Sequence, residues 1–198
     1  MVLSYDAQQM RDLLKSFYTL TQIRIVVFDA EFRKIAEYPE GDCRFCQLIR
    51  RNPEAERRCI ASDREACERS RNSGRLLSYT CHAGLSEAVA PIRHGGLVIG
   101  YLMLGQVLLR EDDWDRWPEV WPLCRALGVG EAELREAYRE KRPVDIEQVF
   151  ASARILDACA GYLWLSRMIS LSENSLPRAL HEHIHRHLDQ DLSAAALC

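Results

Sequence analysis

Cysteine is the residue type whose placement first suggests chemistry. Cys43 and Cys46 form a C-x-x-C pair (CRFC), Cys59 and Cys67 follow downstream, and Cys81 is succeeded directly by His82. Two thiolates on one tight turn converge on a single soft metal ion, and zinc or an iron–sulfur cluster then needs a second pair of ligands. Cys59, Cys67, Cys81 and His82 are the candidates to complete a set with Cys43 and Cys46. Their spacings are not those of a zinc finger or ribbon, and a buried cysteine also serves as a small hydrophobe. Both readings stand at this point. Cys124, Cys159 and Cys198 read as ordinary helix residues. Cys81 and His82 do not make a catalytic dyad, because adjacent strand residues point to opposite faces. No triad, nucleophile elbow, phosphate loop or dinucleotide fingerprint is visible, so the sequence reads as a non-enzyme.

A second kind of chemistry is carried by polar residues within apolar strands: Tyr79, Glu87, Tyr101 and Gln106. A carboxylate or carboxamide facing a core costs ~2–7 kcal/mol unless it is hydrogen-bonded. A small polar ligand in a mostly apolar pocket would supply partners; water or backbone would do so equally. His181, His183, His185 and His187 include i, i+4 pairs, but they flank an apolar stripe (Leu180, Ile184, Leu188) and read as solvated helix surface.

The elements that must position these residues follow from periodicity. Residues 6–20 carry apolar side chains at 3–4 spacing and predict an amphipathic helix. Residues 23–28 and 33–38 predict a hairpin. Residues 45–75 predict a charged helical insertion, with Pro53 in the first turn of the main helix and Gly74 at its end. Its arginines are mixed with acids, which marks a solvated face and not a nucleic-acid patch. Residues 76–81, 86–94 and 97–109 predict three more strands, the last two joined by a turn at His94-Gly95-Gly96. Residues 111–121 and 131–142 predict outer helices. Asp145, with Gln148 three residues on, predicts a capped helix start. That helix runs to about residue 171 with a stripe of Ile146, Val149, Ala153, Leu156, Ala160 and Leu163. Phe150, Trp164 and Met168 lie beside the stripe. A helix near ~40 Å long exceeds what a domain of this size needs, and dimerisation through it competes with simple coverage of the core.

The 198 residues are 47% hydrophobic and 28% charged with a net charge of −3, which excludes a disordered or collagen-like chain and gives no global attraction to nucleic acid or membranes. The first residues lack a basic leader and an apolar signal core, and the apolar stretch at 96–109 is too short to span a bilayer. A reducing cytoplasm is expected.

Taken together, certain strings resemble a known family. FCQLIR (residues 45–50), Cys59 with Ser62-Asp63, YTCHAGLSEAVAPI (79–92) and GLVIGYLMLGQV (96–107) closely resemble the PocR sensory domain. The match marks Cys46, Cys59, Cys81, Gly84, Leu85, Pro91, Gly100, Gly105 and Gln106; Cys43 and Cys67 belong to it less clearly. That family is associated with signalling proteins and AraC-type transcription regulators. Its domain is considered a PAS-like variant that senses small hydrocarbon derivatives such as propanediol or glycerol-like compounds. The resemblance implies an α+β fold: a PAS-like five-stranded antiparallel sheet with a helical insertion and a long C-terminal helix. Residues 1–171 would form the ligand-sensing domain. Residues 172–198 would form a linker and the truncated start of an AraC-type helix-turn-helix region, without the recognition helix that reads the major groove. DNA would then be reached only through a region missing from these 198 residues. The expected effector is a small molecule between sheet and insertion, oriented by Tyr79, Glu87, Tyr101 and Gln106 and walled by Phe45, Leu85, Val89 and Leu104. The expected assembly is a homodimer through the 145–171 helix. The rival is a metal or iron–sulfur redox sensor built on Cys43, Cys46, Cys59, Cys81 and His82.

Overall fold

The β-branched runs pair into one sheet. The computed structural model describes residues 2–94, 96–110, 116–165 and 169–172. Within it, five antiparallel strands lie in the order β3 (Lys34–Tyr38), β2 (Arg24–Asp29), β6 (Leu97–Leu109), β5 (Ser86–His94) and β4 (Leu77–Thr80). These are the five expected strands. Three short ones were not foreseen, since two to four residues carry no readable period: β7 (Pro143–Val144) runs parallel to the end of β6, and β1 (Val2–Tyr5) pairs with β8 (Ile169–Ser172).

Helices cover both faces. Asp6 caps α1 (Ala7–Thr21) by accepting from the N–H groups of Gln8 and Gln9. The insertion is two helices, α2 (Arg44–Arg50) and α3 (Pro53–Ser73). Asn52 caps α3, Pro53 occupies its first turn, and Gly74 ends it at φ +70, where a side chain would be strained and its Cβ would meet the Arg93 guanidinium at 2.5 Å. Helices α4 (Trp117–Cys124) and α5 (Glu131–Arg139) pack outside α2, and α6 (Ile146–Leu165) crosses the opposite face.

Strand alternation divides the core. Ile25, Val27, Ala88, Ala90, Ile92, Leu102 and Leu104 face α1 and α6, where they meet Leu14, Val149, Ala153 and Leu156. Val89, Tyr101 and Met103 face α3. A separate cluster joins Phe45, Leu48 and Ile49 of α2 to Leu85, Trp117, Leu134 and Tyr138. Full burial of each large aliphatic side chain contributes ~1.5–3 kcal/mol.

Two expectations about α6 need correction. The helix is described over Ile146–Leu165 and residues 169–172 are strand, so it does not reach the expected 171. Gln148 does not close a capping box: its Nε2 donates to the Thr21 carbonyl oxygen at 2.8 Å, while the Asp145 carboxylate takes Arg110. Gly95, residues 111–115, Met168 and residues 173–198, with the four tail histidines and the expected helix-turn-helix start, lie outside the described residues. No helix among the described residues is long and apolar enough to cross a membrane.

Candidate functional site

Between the sheet and the α2–α3 insertion lies a cavity of ≈ 370 Å³. Its floor comes from β5 and β6: Glu87, Met103, Gly105 and Gln106. Arg50 and Asp63 overhang it from the helices, and Val26 and Phe28 close it from β2.

A β-bulge puts Gln106 there. Ala88 pairs with Leu104 and Ser86 with Val107, so two steps along β5 answer three along β6. The extra residue is absorbed at Gln106, whose φ of 59 lies in the left-handed region rarely adopted outside glycine. Strict alternation would send Gln106 to the Leu102–Leu104 face; the bulge re-aims it toward the insertion. There its Oε1 accepts the Cys43 N–H at 2.8 Å and its Nε2 donates to Asp42 Oδ1 at 2.7 Å. Gly105 makes room beside it: a Cβ at that position would lie 2.7 Å from Glu87 Cγ.

The polar groups form a connected set. Tyr79, opposite Glu87 on β4, has its hydroxyl 2.8 Å from Asp63 Oδ1 and 3.3 Å from Glu87 Oε2. One hydroxyl proton cannot serve both carboxyls. Burial, reinforced by the neighbouring Asp63 charge, pushes Glu87 well above the usual carboxylate range. The Tyr79 hydroxyl is in donating range of both carboxyls, closer to Asp63, and its bond to Glu87 opposes that rise; in its protonated form Glu87 can in turn donate to the Tyr79 oxygen. Burial also raises Asp63, against the opposing pull of the Tyr79 hydrogen bond. Arg50 bridges Asp42 Oδ2 at 3.0 Å and approaches Asp63 Oδ2 at 3.9 Å, and its buried Nε has no hydrogen-bond partner among the described residues. Arg24 pairs with Glu37 and lies 3.4 Å from Asp42.

Of the eight residues expected to hold a ligand, the structure brings Glu87 and Gln106 to the cavity, with Tyr79 bonded to its floor. The other five do not line it. Leu104 alternates to the opposite face and packs against α1 and α6. Phe45 and Leu85 sit in the core beneath α4 and α5, Phe45 against the Tyr138 ring at 5.6 Å. Val89 is covered by Ala66 and Cys67 of α3. Tyr101 accepts from Arg71 Nε at 2.7 Å and lines a separate cleft. Sequence reading missed Arg50 and Asp63, hidden in a segment read as a solvated charged face, and Asp42, in a stretch (39–42) read as a turn. The Ser62-Asp63 string was the available signal.

The thiols separate into pairs. Cys43 and Cys46 lie one turn apart at the start of α2, with Lys141 Nζ 3.4 Å from Cys43 Sγ, and Cys59 Sγ lies 3.0 Å from His82 Nε2. Among the described residues no three His, Cys, Asp or Glu side chains are arranged to hold a metal ion, so the expected set of Cys43, Cys46, Cys59, Cys81 and His82 is not assembled. Within the first pair, the Cys46 S–H hydrogen bond, helped by Lys141, holds Cys43 down to about 5; the same shared proton and burial push Cys46 up. Burial raises Cys59, and raises Cys81 to about 12. Burial lowers His82.

Comparison with known proteins gives the chain a family context. A family model described as the sensory domain found in PocR matches residues 4–168. Over 159 residues the chain is 28% identical to the regulatory protein PocR of Salmonella typhimurium, covering 76% of this chain and 48% of that protein. The chain thus spans about half the length of this curated relative. Among solved structures, a GAF domain/HD domain protein from Geobacter sulfurreducens aligns over 79% of this chain and 89% of its own at 14% identity, TM-score 0.42. An IclR homolog complexed with 4-hydroxybenzoate, from Microbacterium hydrocarbonoxydans, aligns over 68% and 70% at 11% identity, TM-score 0.28.

Proposed function

The chain belongs to the family of sensory domains found in PocR, and from that premise we propose that it is the effector-sensing module of a transcription regulator and not an enzyme. The effector class is a small, uncharged hydroxylated hydrocarbon derivative, such as a diol or glycerol-like compound. The observation that carries this reading is the cavity beneath α2 and α3. At ≈ 370 Å³ it falls at the lower end of the range of small-molecule sites. Its polar groups suit hydroxyls: Gln106 and Glu87 in its protonated form both donate and accept, Asp63 accepts, and the Arg50 guanidinium donates. Val26, Phe28 and Met103 supply an apolar side for a short carbon chain.

Binding would be relayed through the sheet to α6, whose Val149, Ala153 and Leu156 pack on its far face. The same helix leaves Ala151, Ile155, Ala158 and Tyr162 exposed at 4-3-4 spacing, a stripe suited to a second copy of the chain. Coupling to a DNA-binding region, AraC membership, a PAS-like classification and a cytoplasmic location belong to the same proposal. A ligand shifts such a relay only by its difference in affinity for two arrangements, typically ~1–3 kcal/mol.

The test is calorimetric titration with 1,2-propanediol and glycerol, on wild type and on Glu87→Ala and Gln106→Ala. Saturable binding by wild type that weakens at least about tenfold (~1.4 kcal/mol) in both variants supports the assignment. Unchanged affinity in both variants would falsify it.

A further inference from the structure

Cys43 and Cys46 stand one turn apart where the chain enters α2, Cys43 at its N-cap and Cys46 within its first turn. Their access differs. Cys46 is buried, whereas Cys43 is half-buried and lines a second cavity of ≈ 310 Å³ with Tyr18, Pro39, Lys141 and Val144. Lys141 Nζ lies 3.4 Å from Cys43 Sγ. An ammonium beside a sulfur favours the thiolate, the form that attacks disulfides. A buried thiol one turn away is placed to resolve the adduct. The effector reading uses neither thiol.

We infer that Cys43 is a thiol-modification site that takes small disulfides through this second cavity, and that Cys46 resolves the adduct to a reversible Cys43–Cys46 disulfide. The Cys43 thiolate attacks one sulfur of a small disulfide RSSR, giving Cys43–S–S–R and expelling RS⁻, which takes the proton of Cys46. The Cys46 thiolate then attacks the Cys43 sulfur and expels the second RS⁻, which is protonated by water. Two protein thiols are oxidised and one RSSR is reduced to two RSH. The two cavities share Asp42, Gly105 and Gln106 as a common wall. Because Gln106 accepts the Cys43 N–H, closing the disulfide moves the side chain that faces the first cavity.

The experiment equilibrates the 198-residue chain, purified without oxygen and assayed for metal, in mixtures of reduced and oxidised glutathione with no effector. Free thiols are then alkylated and peptides are read by mass. The expected result is a Cys43–Cys46 cross-link that dithiothreitol reverses. Cys46→Ser should arrest at glutathione on Cys43, Cys43→Ser should give no adduct on Cys46, and Lys141→Gln should slow Cys43 alkylation about tenfold near neutral pH. Absence of the cross-link, glutathione preferring another cysteine, or stoichiometric zinc or iron protecting both thiols would each overturn the inference. With no effector present, the outcome is independent of the effector reading.

Discussion

Glu87 and Gly105 show what one side chain, and the lack of another, do for the site. Glu87 folds over position 105 so closely that a methyl group there would lie 2.7 Å from its Cγ. Gly105→Ala should therefore push the carboxyl out of the cavity and weaken effector binding at least about tenfold by calorimetry, while the sheet persists by far-ultraviolet circular dichroism. Equal affinity in this variant would mean that the carboxyl position does not matter. Glu87 also gives stability a direction with pH. Its carboxyl is held up by burial and by Asp63, so the folded chain retains a proton that the unfolded chain releases at the ordinary carboxylate value. The stability this contributes is fully present below the unfolded value and is lost as pH rises through the folded one; Asp63, also raised, acts in the same sense. Glu87→Gln keeps the shape and cannot ionise. In urea unfolding at a series of pH values, this variant should gain on wild type as pH rises from acid toward neutral. Parallel curves would show that Glu87 does not titrate differently in the fold.

Among the elements, the α2–α3 insertion is held by contacts that mutation can grade. Asn52 caps α3 through the N–H groups of Glu54 and Ala55 and also donates to the Leu127 carbonyl oxygen at 2.8 Å. Its replacement by Ala should cost ~1–2 kcal/mol in denaturant unfolding. Phe45→Ala, which empties a fully buried site against Tyr138, should cost ~3–5 kcal/mol. A cost for Phe45→Ala similar to that of an exposed residue would show that α2 is not docked as described. The strands and helices were legible because their apolar periods differ and because Pro53 and Gly74 punctuate the insertion. The site was legible only in part. Glu87 and Gln106 stood out as polar residues among apolar ones, but which face each occupies depends on the register, and the bulge at Gln106 shifts that by one residue. Leu104 was misplaced because strict alternation puts it on the same face as Gln106, and the bulge sends the two to opposite sides of the sheet. Phe45 and Leu85 are apolar enough for a pocket wall or a core, and only the packing of α4 and α5 decides between them. Asp63 was concealed among exposed charges because helix α3 turns that one carboxylate inward.

At the scale of the molecule, the sheet separates a cavity under α2 and α3 on one face from α6 on the other. Helix α6 buries one stripe and exposes another, with Ile155 at 45% and Tyr162 at 51% of full exposure. If that stripe joins two copies, sedimentation equilibrium should give the dimer mass for wild type and the monomer mass for Ile155→Lys. The same mass for both would remove α6 as the contact. The central claim is that the cavity receives a small hydroxylated effector. Its most direct measurement is a crystal structure of the protein grown with 1,2-propanediol at a concentration that calorimetry shows to be saturating. One diol is expected between β5, β6 and α3, with its oxygens in hydrogen-bond range of Glu87 and Gln106. A diol bound elsewhere, with side chains filling that space, would contradict it.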